Sequence, residues 1–313
     1  MDTATVARFE ASRNRLASLA YRLLGSAADA EDTVQDAFLR WQAADQGYIE
    51  VPEAWLTKIV TNLALDRLRS AQVRRERAVG TWIPEPLLDG DPMLGPADTV
   101  EQRESVTLAV LTLMERLSPV ERAVYVLREA FAYSHAEIAE ILGITASGSQ
   151  QHTHRARHRI AAAGSRTGID RAAARRIVEA FVDAASSGRT EQLVALLTDD
   201  ATGISDGAGL GTAAKLIRYA TPERIARAFR AGFIPSPAKR RLAGGSPSIH
   251  AVLVNGCPAM LATLDDRVLG IVILEMRDDK IAGVRGIAAT DRLGRLTAQW
   301  QRQEHDDPLI ESW

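Results

Sequence analysis

The sequence predicts a multidomain protein: two all-α helical domains, the second with a helix-turn-helix, followed by an α+β domain built on a curved antiparallel sheet. Three observations lead there. Up to about residue 160 apolar residues recur at helical spacing. From Gly80 to Asp98 the run GTWIPEPLLDGDPMLGPAD carries four prolines and three glycines, residues that stop regular structure. Beyond Ser248 the apolar period changes to that of strands.

The elements follow in order. Ala30, Val34, Ala37, Phe38 and Trp41 fall at i, i+4, i+7, i+8 and i+11, one apolar helix face, and Asp29, Asp32 and Asp36 lie on another. A helix from about Pro52 to Arg69 turns Leu56, Ile59, Val60 and Leu63 inward and presents Lys58, Asn62, Asp66 and Arg69 as a polar stripe, before the chain becomes basic at Arg74–Arg77. Trp82 is out of place in the Pro/Gly-rich linker, which needs no aromatic unless it docks. Ser118–Glu121 (SPVE) and Ser134–Glu137 (SHAE) are capping boxes, the first with Pro at the first helical position. The helix holding Ile138, Ile141 and Leu142 stops at Gly143 and another begins near Thr145, a helix-turn-helix pattern. From Gly168 two helical patterns (Ile177, Val178, Phe181, Val182, Ala185; then Leu193, Leu196, Leu197) precede a strand, ATGISD, and a helix opened by Thr221-Pro222. Four strands follow, with hairpin turns expected at Asn255-Gly256 and Asp265-Asp266.

Composition bounds the chemistry. The chain has 313 residues, 46% hydrophobic, enough for more than one core, and a net charge of −2, so local charge must choose any polyanionic partner. One cysteine, Cys257, excludes an internal disulfide framework and fits a reducing compartment. The polar start MDTATVARFEASRNRL does not resemble a signal peptide, and no apolar run is long enough to span a bilayer. A cytoplasmic protein without a membrane partner is expected.

The segment GITASGSQQHTHRARHRI, Gly143 to Ile160, holds three histidines and three arginines. On a helix Ser149, Thr153, Ala156 and Ile160 turn inward, and Gln151, His154, Arg155 and His158 turn away. From Thr145 to Arg176 there are seven arginines and one acid, Asp170, the electrostatics of a phosphate-binding element. Gln and Arg can also read base edges in a major groove. Metal binding by His152, His154 and His158 is the rival reading. His154 and His158 stand at i, i+4, but no Cys, Asp or Glu adjoins them and the arginines repel a cation. No metal or cofactor is expected.

DAEDTVQDAFLRWQ, AWLTKIVTNLALDRLRS, LSPVERAVYVLREAFAYSHAEIAEILG and RARHRI, in this order and spacing, resemble an extracytoplasmic-function (ECF) sigma factor. GTWIPEPL is similar to the linker of the SigJ-like subgroup, which carries a SnoaL-like domain after the helix-turn-helix. The resemblance implies region 2 at 1–75, a linker at 76–100, region 4 at 101–166, a SnoaL/NTF2-like cone at 168–295 and a tail at 296–313. It implies core RNA polymerase (β′ clamp helices and β flap) and promoter DNA as partners. Asp29, Glu31, Asp32 and Asp36 would meet the clamp helices. Trp55, Lys58, Asn62, Arg67 and Arg69, with the loop Asp45–Glu53, would capture the unstacked minus-ten strand. Gln150, Gln151, His154, Arg155 and His158 would read the minus-thirty-five duplex. The linker Trp82, Ile83, Pro84, Glu85 and Pro86 would dock on the SnoaL-like domain as an intramolecular partner, which would regulate in cis. A core packing role for Trp55, and pairing of Asp66 with Arg69 or Lys58, stand beside these.

The sequence departs from the family in places. Gly148-Ser149-Gln150 stands where most members have Ala-Val-Arg, so the recognition helix is expected to start later or to be less rigid, glycine costing about 1 kcal/mol in a helix. The subgroup's Asp-Gly-Gly-Gly-Lys appears as DGAGL (Asp206–Leu210), and its Asn-Pro-Asp-Lys-Leu as ATDRL (Ala289–Leu293). Two other readings predict different things. A one-component DNA-binding regulator needs no acidic Asp29–Asp36 face. A cyclase-like enzyme needs an acid or base in the cone, for which His250 and Asp206 are the candidates.

Overall fold

The computed structural model describes residues 3–75, 83–95, 102, 105–161, 169–208 and 216–313. Trp82, Gly209 and Leu210 lie outside the described residues. The described chain forms two compact units. One runs up to Glu85 and resumes at Gly90 through the helix-turn-helix. The other joins Pro86–Asp89 to everything from Ile169 onward.

The first unit opens with α1 (Thr3–Leu24), α2 (Ala27–Ala43) and α3 (Pro52–Arg75). Gly25 turns the chain at φ 66°, and Ser26 caps α2 by accepting from the Asp29 amide. Phe9, Leu16 and Leu23 of α1, Val34 and Trp41 of α2, and Leu56 and Val60 of α3 are buried. α3 continues past the expected end at Arg69, since neither Pro nor Gly interrupts it before Gly80. Next come α4 (Leu108–Met114), α5 (Pro119–Glu129), α6 (His135–Leu142) and α7 (Ala146–Ile160). Both expected capping boxes form. Gly143 closes α6 in the left-handed conformation, φ 66° and ψ 37°, and Thr145 caps α7.

The helix-turn-helix packs on the first three helices through arginine. Arg122, 4% exposed, donates from Nη1 to the Leu23 carbonyl (2.8 Å) and from Nε and Nη2 to the Met114 carbonyl (3.0 and 2.7 Å), satisfying oxygens in the last turns of α1 and α4. Its Nη2 also lies 2.7 Å from Glu115. Arg22, equally buried, donates to Ser105 Oγ (3.0 Å) and to the Leu94 carbonyl (2.8 Å). Burial pulls both guanidinium groups down to about 10. Arg15 bridges Thr57 Oγ1 (3.1 Å) and the Tyr133 hydroxyl (2.7 Å).

The second unit contains α8 (Arg171–Ser186), α9 (Thr190–Leu196), β1 (Leu197–Ser205), β2 (Ile217–Tyr219), α10 (Pro222–Phe233) and α11 (Pro237–Ala243). Then follow β3 (Ser248–Val254), β4 (Cys257–Leu264), β5 (Arg267–Arg277), β6 (Lys280–Ile287) and α12 (Thr290–Trp300). The sheet order is β2-β1-β6-β5-β4-β3. The β3–β6 meander is antiparallel, but β1 joins β6 in parallel, so the sheet is mixed. Asn255 (φ 51°) and Gly256 (φ 73°), and Asp265 (49°) and Asp266 (58°), make the two expected tight turns with both central residues at positive φ. Val178, Phe181, Leu193, Ile225, Leu274 and Val284 form the core between the helices and one sheet face.

Two expected boundaries move. The tail boundary at 295/296 falls inside α12, whose Leu293, Leu296 and Trp300 are buried, and the chain beyond it is docked: Ile249 donates to the Ile310 carbonyl (2.8 Å) and Trp313 Nε1 to the Phe233 carbonyl (3.0 Å). The interval 76–100 is likewise not a bare linker in its described part, since Ile83, Leu87, Leu88 and Met93 are buried and Pro92–Leu94 form a 3-10 turn. Part of each departure has one cause. β3 ends the sheet, and its free edge is covered by Ile310 at one end and Leu88, bridged to Val254, at the other.

Candidate functional site

α7 is anchored by its inward residues. Ser149, Thr153, Ala156 and Ile160 are buried. The expectation of a late or loose start is not met: the helix begins at Ala146, Thr145 Oγ1 accepts from the Gly148 amide (2.9 Å), and buried Ser149 finds His135 Nδ1 at 2.9 Å. A polar residue in an apolar slot is tolerated because a partner reaches it.

The outward side divides in two. Arg155 Nε and Arg159 Nη1 bind the two oxygens of Glu121 at 3.0 and 2.8 Å, and Arg157 Nη2 binds Glu129 at 2.9 Å. All three arginines of the segment are therefore tied to α5. Burial by itself pushes the Glu121 carboxyl upward, but the Ser118 amide, Arg155, the Ser118 hydroxyl and Arg159 together hold it below its ordinary value. Gln150, Gln151, His154 and His158 remain as an exposed row. His152 is half-buried and its Nδ1 accepts from Arg155 Nη2 (2.8 Å). Burial, then the Arg155 charge, lower its pKa. That occupies one nitrogen of the rival metal set, and among the described residues no group of three or more His, Cys, Asp or Glu could hold a metal ion.

α2 and α3 carry the other candidate residues. Arg67 of α3 reaches across to Asp36 (2.8 Å), Asp29 (3.8 Å) and Asp32 (3.9 Å), so a residue grouped with the minus-ten set sits inside the acidic row. Glu31 is exposed on the same helix. Trp55 is half-buried with its ring 5.6 Å from that of Trp41, which fits a packing role. Lys58 is exposed, Asn62 half-buried, and Arg69 pairs with Asp66 at 3.2 Å. Within the Asp45–Glu53 loop, Tyr48 stands 88% exposed on the 3-10 turn Gln46–Tyr48.

Two family models match the chain: Sigma-70 region 2 over residues 8–74 and Sigma-70 region 4 over residues 107–160. The chain is 36% identical over 296 residues to the ECF RNA polymerase sigma factor SigJ of Mycobacterium tuberculosis, covering 92% of each chain. The chain belongs to the ECF RNA polymerase sigma factors. It is also 31% identical over 298 residues to the probable sigma factor SigI of M. tuberculosis, covering 94% of this chain and 96% of that one. The crystal structure of M. tuberculosis SigJ matches with a TM-score of 0.67 at 32% identity, over 92% of this chain and 97% of that one. ECF sigma factors bind core RNA polymerase and promoter DNA, which favours this function over the one-component regulator.

The α+β domain of this sigma factor holds an open cavity of about 300 Å³ lined by Tyr219, Phe229, Phe233, Met260, Val272 and Trp313, among others. Neither acid–base candidate lines it. Ile249 faces the cavity, and its neighbour His250 is buried on the far side, edge-on to Trp300 at 4.7 Å. Asp206 is buried as a backbone acceptor, its Oδ2 taking the Ala288 and Ala289 amides at 2.9 and 2.8 Å. Two neighbouring stretches of the linker of this sigma factor are held, one within each unit. Glu85 donates its amide to the Gly25 carbonyl (2.9 Å) and takes the Ala27 amide on its carboxylate (2.7 Å) in the helical unit. In the other unit buried Asn255 takes the Leu87 amide on Oδ1 (2.8 Å) and returns its own amide to the Leu87 carbonyl (3.0 Å), while Asp89 donates to Leu253 (3.0 Å). Ile83 is buried and Pro86 belongs to this second set of contacts. Pro84 precedes Glu85 within the helical unit.

Proposed function

We propose that this sigma factor reads its promoter with two helical modules and is restrained in cis by its α+β domain. The observation that carries the DNA reading is the row Gln150, Gln151, His154 and His158. It is exposed on the second helix of a helix-turn-helix while the arginines beside it are fixed on Glu121 and Glu129. The row addresses base edges of the minus-thirty-five duplex, and Arg155 and Arg157 add phosphate-directed charge from fixed positions. α3, with Lys58, Asn62 and Arg69, and the 45–53 turn address the minus-ten strand. The acidic row Asp29, Glu31, Asp32 and Asp36 addresses the β′ clamp helices and the helix-turn-helix module the β flap. The cone is non-catalytic in this reading, because its two acid–base candidates face elsewhere.

Polymerase capture tests the acidic row. Asp29→Asn with Asp32→Asn is expected to weaken retention on immobilised core polymerase about tenfold, with salt dependence reduced, while duplex binding stays unchanged. Unchanged retention would reject the assignment. The linker carries the cis restraint: docked on β3, it limits the separation the two modules need to engage polymerase and promoter. Asn255→Gly keeps a residue that adopts positive φ but removes the acceptor for the Leu87 amide. Removing this hydrogen bond, worth about 1 kcal/mol, should raise promoter-dependent transcription about fivefold and speed amide exchange at Leu87 to Asp89. Equal transcription with faster exchange would show the docked linker to be structural only.

A further inference from the structure

The C-terminal domain carries a charge feature that promoter reading by the helical modules leaves unused. Between Arg218 and Arg241 the sequence holds seven Lys and Arg against one acid, Glu223, the same balance as the Thr145–Arg176 stretch around the recognition helix. The folded chain gathers these cations. Arg224, Arg227 and Arg230 stand at i, i+3 and i+6 on α10, opposite its buried Pro222, Ile225, Ala226 and Phe233, and all three are exposed. α11 follows at once, and its Lys239 binds back to the carbonyls of Gly232 (3.0 Å) and Ile234 (2.6 Å), which fastens α11 to the end of α10. Arg240 and Arg241 are exposed beside it. Arg227, Arg230, Lys239 and Arg241 bond backbone carbonyls, which leaves their charge in place, Arg240 reaches the main-chain oxygen of Trp313 (3.3 Å), and among the described residues no ion pair with an Asp or Glu side chain involves any of these or Arg224.

We propose that this basic face of α10 and α11 is a second, sequence-independent DNA contact that grips the phosphate backbone of duplex DNA. The inference rests on the sigma-factor reading only for the identity of the polyanion. Duplex is favoured over single strand because Phe229 and Phe233 turn into the cavity and the one ring beside the face, Trp313, lines the same cavity and is covered by Lys239 (5.7 Å to its centroid), so no stack of rings is open to unpaired bases. A lipid surface is disfavoured because the apolar face of α10 is already buried in the domain, leaving only the separate side chains Ile234 and Leu242 exposed.

The test uses the full chain and a labelled random-sequence duplex, with affinity measured over a series of salt concentrations. Arg224→Ala/Arg227→Ala/Arg230→Ala is expected to flatten the slope of log K against log salt by about 0.9 for each phosphate no longer neutralised, about 2–3 in all. The corresponding triple Lys variant is expected to keep the wild-type slope, which a structural role for the guanidinium hydrogen bonds would not allow. A slope unchanged by the Ala variant, or wild-type binding to anionic phosphatidylglycerol vesicles without binding to the duplex, overturns the proposal. Capture by core polymerase, measured in parallel, keeps the two readings apart. A changed slope without core capture sinks the sigma reading alone, and core capture with an unchanged slope sinks this one alone.

Discussion

Arg122→Met costs about 3–5 kcal/mol of stability, the range for removing one partner from a buried charged network. The methionine fills the space but offers no donor to the Leu23 and Met114 carbonyls, which the buried guanidinium reaches at 2.7–3.0 Å. The Leu23 oxygen lies in the last turn of α1, and the Met114 oxygen, which also takes the Leu117 amide (3.0 Å), ends α4. Glu115 loses its cation as well. Arg122→Lys recovers only part of the loss, because one ammonium cannot reproduce a planar fork aimed at separate acceptors. Urea denaturation followed by helical circular dichroism reads both. A midpoint for Arg122→Met equal to wild type would mean that the arginine is replaceable by bulk.

Glu121→Gln loosens the recognition helix. The carboxylate, 5% exposed, closes the capping box of α5 and holds Arg155 and Arg159 of α7. The amide replaces an acceptor oxygen with a donor group facing two guanidinium groups. Stability is expected to fall by about 1–3 kcal/mol, and promoter affinity with it, while core capture persists. The folded-state carboxyl is held below its ordinary value of 4.5, so its contribution is present above that pH and lost as the pH falls through the folded value. The gap between wild type and variant should therefore close in acid. A gap that widens there would contradict the ion-pair account.

Much of the fold is legible because the chain marks its own boundaries. Ser118, Ser134, Thr145 and Thr221 cap the helices they were expected to open, and Asn255-Gly256 and Asp265-Asp266 make the turns. What escaped depends on distant partners. Ile310 and Leu88 dock because β3 has a free edge, a fact of sheet order that no local pattern carries. The parallel placement of β1 beside β6 is hidden for the same reason. At the candidate sites, residue types and outward faces were readable, but pairing was not. Arg67 reads as part of a DNA-facing helix until α2 is seen to bring three aspartates to it, and Arg155 until α5 brings Glu121. His250 alternates correctly for a strand, yet strand alternation alone does not say which face borders the cavity.

As an ECF sigma factor, this chain directs core polymerase to a promoter. Run-off transcription with purified bacterial core polymerase on a library of promoter fragments tests it most directly. Discrete transcripts are expected that appear only when the full chain is added and that disappear when Gln150, Gln151 and His154 are changed to Ala. Specific binding of the chain to duplex DNA, with no capture of core polymerase and no added transcript from any fragment, would contradict it.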